Sequence, residues 1–266
     1  MKRSSGVRLC AAATVSVLSF ALVTGCSDEG SKGSGNAKGS NGSNASSSDA
    51  KALSAAELQK LVIAKGEVPG FKVGAVKGGI PAKSKVKADD AKCDPLLQVL
   101  TGIAPGDAAT NTSRMATEDK KDPTDDATSL DDLADGKFED AINKSLDTDV
   151  TVVTLASYDG DGAEKAVRTV SDAVKACAGG FSGEQDGEKG KFTKVGEEKS
   201  SGTGDESLAF TATNDTPDGA VPLHGEVVRH GNTVATYSTI NIGAGMSKKA
   251  YTVSAAVIKA QAGKLK

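Results

Sequence analysis

The sequence predicts an α+β domain: an antiparallel β-sheet, much of it late in the chain, with helices packed mainly on one face. Three observations lead there. Residues 221–242 hold two strand-like runs joined by Gly231-Asn232, a favourable two-residue hairpin loop. Strand-like runs also cover 191–195 and 207–213, so several strands follow one another with only turns between them. Segments 163–177 and 247–265 instead place apolar residues at helical spacing.

The elements follow in order. Ser54-Ala55-Ala56-Glu57 is a capping-box pattern and opens a helix with Leu58, Leu61 and Val62 on one face, ending near Gly66. Val68-Pro69-Gly70 turns into a strand over 71–77. Asp94-Pro95 offers an N-cap and a first-turn proline for a short helix to Leu100, with Gly102 as its stop and Cys93 at its entrance. Residues 118–140 hold ten acids and three bases, read as an exposed loop leading into a helix over 137–146. A β-rich run covers 150–158, and Asp159-Gly160-Asp161-Gly162 makes a turn. The helix after it buries Ala163, Ala166, Val167, Val170, Val174 and Cys177.

Placing His230 opposite Thr233 sets the hairpin register. One face then gathers Val221, Leu223, Val227, Val234, Ile240 and Ile242 as a core face. The other gathers His224, Glu226, Val228, Ala235, Tyr237 and Thr239, which reads as half wet. A last helix, Ser247 to Leu265, turns Ala250, Val253, Val257 and Ala260 inward.

Ahead of this domain, Lys2, Arg3 and Arg8 precede an uncharged apolar segment, Leu9 to Val23. A helix through it would span only about 22 Å, short of the roughly 30 Å hydrocarbon core. It reads as a secretory leader, residues 1–25. The run Leu22-Val23-Thr24-Gly25-Cys26 resembles the lipobox of bacterial lipoproteins. That resemblance implies cleavage before Cys26, a diacylglyceryl anchor on its sulfur, and the extracytoplasmic face of a membrane. Residues 26–51 then form the lipidated cysteine and a Ser/Gly/Asn-rich tether, poor in apolar bulk, and 52–266 the folded domain.

Three of the 32 basic residues precede Cys26 and all 35 acidic residues follow it, so the chain from Cys26 onward carries six net negative charges. Nucleic acid is a poor partner for such a surface, and so is an anionic membrane face. Cys10 leaves with the leader and Cys26 takes the lipid. Cys93 and Cys177 remain, and in an oxidising compartment they read as one disulfide between helices.

Several short segments together resemble the extracellular sensor domain of actinobacterial protein kinase H and its related lipoproteins. They are Glu67-Val68-Pro69-Gly70-Phe71, Cys93-Asp94-Pro95-Leu96, Cys177 at a helix end, Gly204-Asp205-Glu206-Ser207, and Val228 to Val234 at the hairpin. The resemblance spans about residues 53–265 and implies an antiparallel sheet backed by helices, with a cleft for an unidentified extracellular ligand. The chain departs from it in three ways: it has no kinase domain, it can form one disulfide where the kinase version has two, and it has Phe71 where Trp is frequent.

Catalytic patterns are absent: the folded part holds no G-x-S-x-G elbow, no H-E-x-x-H and no phosphate-binding loop. His224 and His230 lie six residues apart on one strand, roughly 20 Å, too far to share a metal. His224, Glu226 and Tyr237 share a face and could orient a polar ligand or act in proton transfer; a plain solvated sheet face explains them more simply. Asp159-x-Asp161 has a fragment of calcium-loop character but lacks the remaining ligands. No metal or cofactor is implied. Three functions stay open: a non-catalytic domain that binds a small molecule or an envelope component, a lipid carrier, and an envelope hydrolase using Glu226 and His224.

Overall fold

Nine strands form one antiparallel sheet in the computed structural model, which describes residues 50–120, 146–217, 219–244 and 250–266. Cys26, the tether, most of the acidic segment and nearly all of the helix expected over 137–146 lie outside the described residues. In chain order the elements are α1 Ala55–Leu61, β1 Phe71–Gly74, β2 Val86–Ala88, α2 Asp94–Leu100, β3 Thr110–Glu118, β4 Asp149–Ser157 and α3 Gly162–Ala176. Then come β5 Phe181–Gln185, β6 Glu188–Glu198, β7 Glu206–Thr216, β8 Gly219–His230, β9 Thr233–Asn241 and α4 Ala255–Gly263. The spatial order is β1-β3-β4-β9-β8-β7-β6-β5-β2. Its two edge strands have only four and three residues, which leaves little unpaired backbone to recruit another chain.

Both faces of the central strands are apolar, and this sets the layers. Val227 and Val228 are neighbours on β8 and both buried, as are Val234 and Ala235 on β9. Neighbours in a strand point to opposite faces. Val227, Val234 and Phe210 pack with Leu96 and Val99 of α2 and with Val167 and Val170 of α3. Val228, Ala235, Val153 and Leu155 pack with Leu58 of α1 and with Val257 and Ile258 of α4. The α+β class and the antiparallel sheet are as the sequence implies, but helices cover both faces rather than mainly one.

The hairpin register is the expected one: His230 pairs with Thr233, Glu226 with Tyr237 and His224 with Thr239. The sidedness needs two corrections. Much of the face read as half wet belongs to the α1/α4 core, because Val228, Ala235 and Tyr237 are buried in it, and Thr239 is buried as well. Ile240 and Ile242, assigned to a core face, are 39% and 56% exposed. Ser238 donates to the carbonyl of Leu100, the last residue of α2, so that helix layer stops short of them.

Helix ends depart from the periodicity for local reasons. Ser54 and Glu57 form the full capping box, but α1 stops at Leu61 instead of near Gly66. The amide of Ile63, which would carry the helix onward, donates to Oε1 of the fully buried Gln261 on α4. Nε2 of Gln261 returns a bond to the Leu61 carbonyl at 2.8 Å, so one side chain fastens α4 to the end of α1. Asp94 does not cap α2; Cys93 is the N-cap, and Oδ1 of Asp94 accepts from the Ala88 amide of β2. α4 begins at Ala255, eight residues later than expected, and Ala250 is exposed. Before it, the Tyr251 ring lies edge-on to His224 at 4.7 Å and its hydroxyl donates to the Pro222 carbonyl.

Cys93 at the entrance of α2 and Cys177 at the exit of α3 form the expected disulfide, with Cα atoms 6.0 Å apart. Residues 50–53 are stitched to the sheet: the Ala52 amide donates to Asp159, the Leu53 amide to Ser157, and Nδ2 of Asn232 to the Lys51 carbonyl.

Asp205 braces the hairpin. Its Oδ2 accepts from the Gly231 amide at 2.7 Å and from Arg229 at 3.4 Å. Gly204 beside it has φ +73°, and a Cβ there would lie 2.3 Å from the Arg229 carbonyl oxygen, so only glycine fits. Asp205→Ala should cost about 1 kcal/mol in urea denaturation, because the bonds lost are solvent-accessible. An unchanged midpoint would show that the hairpin stands without this brace.

Candidate functional site

β6 ends at Glu198 and β7 begins at Glu206, and the loop between them folds back over the α1/α4 face. Ser201 holds it there, its amide donating to Oε1 of Glu226 at 2.8 Å. Oγ atoms of Ser201 and Thr203 lie 2.9 Å apart within the loop. Between this loop, the sheet and the start of α4 opens a cleft of about 700 Å³. Ala209 and Glu226 line it from the sheet, Lys199, Ser201 and Thr203 from the loop, and Ala255, Ile258 and Lys259 from α4. Two hollows of about 390 and 410 Å³ flank the end of α2.

The structure divides the three residues that the sequence grouped. Glu226 lines the cleft, although only 3% of its surface is exposed. Tyr237 faces it across the strand pair, in the core; burial first, and then the Glu226 carboxylate, push its phenol far above the ordinary value. His224 is 6% exposed and does not line the cleft. Its Nδ1 lies 2.8 Å from Oε2 of Glu198, which does. The ring is therefore clamped between Glu198 and Tyr251. Burial and the carboxylates of Asp149 and Glu198 raise the Tyr251 phenol, against a backbone hydrogen bond at Asn241 that lowers it.

His230 sits at the hairpin end, where burial lowers its pKa. Asp159 and Asp161 are engaged by the Ala52 amide and by Lys165, which explains them as a turn and a helix start. Among the described residues, no three His, Cys, Asp or Glu side chains gather to hold a metal, and no helix is long and apolar enough to cross a membrane.

Lys199, Ser201, Ile258 and Lys259 were not singled out from the sequence. Nothing in their local pattern marks them. They meet only because the 199–205 loop folds back and α4 starts late.

No known family model matches this chain, and no curated protein does. Its fold is similar to the extracellular domain of PknH from Mycobacterium tuberculosis, at 12% identity and a TM-score of 0.48, covering 81% of this chain and 95% of that one. It is also similar to the Rv0999 ortholog from Mycobacterium smegmatis, at 12% identity and a TM-score of 0.32, covering 74% of this chain and 90% of that one. The first is the extracellular domain of the kinase whose family the sequence motifs resemble.

Proposed function

We propose that this chain is a lipoprotein anchored through Cys26 at the extracytoplasmic face of the membrane, and that its α+β domain binds a small envelope ligand without catalysing a reaction. The observation that carries this reading is the cleft with Glu226 in its wall. A carboxylate stripped of most of its water needs partners, and Ser201 supplies only one hydrogen bond. A ligand supplies the rest.

The hydrolase reading is weaker. Glu226 and His224 do not share the cleft, and Nδ1 of His224 is already taken by Glu198. A lipid carrier suits an apolar cavity, whereas Glu198, Glu226, Lys199 and Lys259 all line this one.

Melting the full chain in detergent against fractionated envelope extract tests the binding. A fraction holding the ligand at about 100 times its dissociation constant should add about 2.7 kcal/mol, raising Tm by roughly 5–10 °C. No shift from any fraction would count against ligand binding. For the anchor, Cys26→Ser should move the protein from the membrane pellet to the medium and abolish incorporation of an alkyne fatty acid. Continued membrane retention would refute it.

A further inference from the structure

The charges around the cleft sit on different walls, and Glu198 at the end of β6, which also lines it, is engaged by Nδ1 of His224 at 2.8 Å. Glu226 is on the sheet wall, and among the described residues it forms no ion pair. Lys259 is on the α4 wall and Lys199 on the loop; both are exposed, and neither has an ion-pair partner among the described residues. The first turn of α4 also lines the cleft through Ala255, and its N-cap Ser254 places no side-chain oxygen on those amides. An uncapped helix start attracts negative charge. Between the walls lie the buried aliphatic groups of Ala209 and Ile258.

We propose that the cleft takes a small zwitterion, an amino acid or short peptide with free ends, its ammonium group on Glu226 and its carboxylate toward Lys199, Lys259 and the start of α4. The inference rests on the ligand-binding reading above and gives that ligand a class. A plain anion would meet the desolvated Glu226 carboxylate, and a plain cation would meet two lysines. A neutral hydrophobe would strip the remaining water from Glu226 and return no charge. Only a ligand carrying both charges satisfies both walls. Among the described residues, no aromatic side chain lines the cleft, which gives a sugar ring no stacking platform there.

The probe is alanyl-leucine, compared with its N-acetyl and C-amide forms against the full chain in detergent micelles, followed by the amide resonances of Ser201 and Ala255. Alanyl-leucine should move both resonances, and each blocking group should weaken binding about tenfold, the loss of one charge-assisted contact. In Glu226→Gln the free and N-acetyl forms should bind within about twofold of each other, while the preference for a free carboxylate persists. Gln keeps an oxygen for the Ser201 amide, so this variant retains the loop contact. Lys259→Met should do the reverse, weakening the carboxylate preference and leaving the amine preference intact.

Equal binding of the N-acetyl and free forms by the native chain would overturn the proposal, and so would no response to alanyl-leucine at about 20 mM, a ceiling near the weak end of useful affinity. If an envelope fraction raises Tm but its active component has no amine, this inference fails and ligand binding stands. If neither fractions nor dipeptides act, both fail.

Discussion

A Cys93→Ser, Cys177→Ser double variant should melt about 10–15 °C below the native chain. The bridge closes a loop across a sequence separation of 84 residues. In the chain-entropy account this removes about 4.5 kcal/mol of freedom from the unfolded ensemble, and a domain of this size shifts roughly 2–4 °C per kcal/mol. The two sulfurs join the entrance of α2 to the exit of α3, the two helices that cover one face of the sheet. Both cysteines are buried, so serine also leaves hydroxyls in an apolar setting. Calorimetry of the oxidised native chain and the variant reads the effect. A difference under about 3 °C would mean that packing alone fixes α2 against α3.

Phe210→Ala should cost about 3–5 kcal/mol, the range for deleting a fully buried ring. Phe210 has no exposed surface, and its ring covers Gly225, where a Cβ would lie 2.5 Å from the ring. Gly225→Ala should therefore cost about 1–3 kcal/mol by overpacking the same spot. The two changes share one volume, so Gly225→Ala with Phe210→Leu should be less harmful than the sum of its parts. Strict additivity in urea denaturation would show that ring and glycine do not depend on each other. Phe210 belongs to the α2/α3 core, whereas its neighbour Ala209 lines the cleft on the opposite face. Phe210→Ala should thus lower stability and leave alanyl-leucine binding intact at low temperature.

What could be read from the chain was local. The capping box of Ser54 and Glu57, the stripe of α3 and the Gly231-Asn232 loop all depend on contacts within a few residues, and all are present. The β3 strand, Thr110–Glu118, was missed because its apolar residues do not alternate; pairing with β1 and β4 makes it a strand. β2 and β5 were missed as well, and they pair with each other at the far edge. The length of α4 was overestimated because Tyr251 spends its contacts on His224 and Pro222 instead of on a helical turn.

The same division holds for the site. Glu226 was legible as a polar residue on a strand face, and its partner across the hairpin followed from the register. Its burial was not legible, because the cover comes from a loop before β7 and from α4 at the chain's end. Most of the segments that carry the family resemblance prove to be folding devices. Gly204 and Asp205 brace the hairpin, Glu67 pairs with Lys264, and Cys93 forms the bridge. Those short patterns report how the chain folds, not what it holds.

The stitching of residues 50–53 has a mechanical consequence. These residues bond to the end of β4, to the turn after it and to the β8–β9 hairpin. β4, β9 and β8 have neighbours on both sides in the sheet. Tension arriving from the chain ahead of residue 50 would thus enter at interior strands, where several bonds share the load, and not at a border that could peel one bond at a time. A pull on the front of this chain would load the domain without unzipping it from an edge.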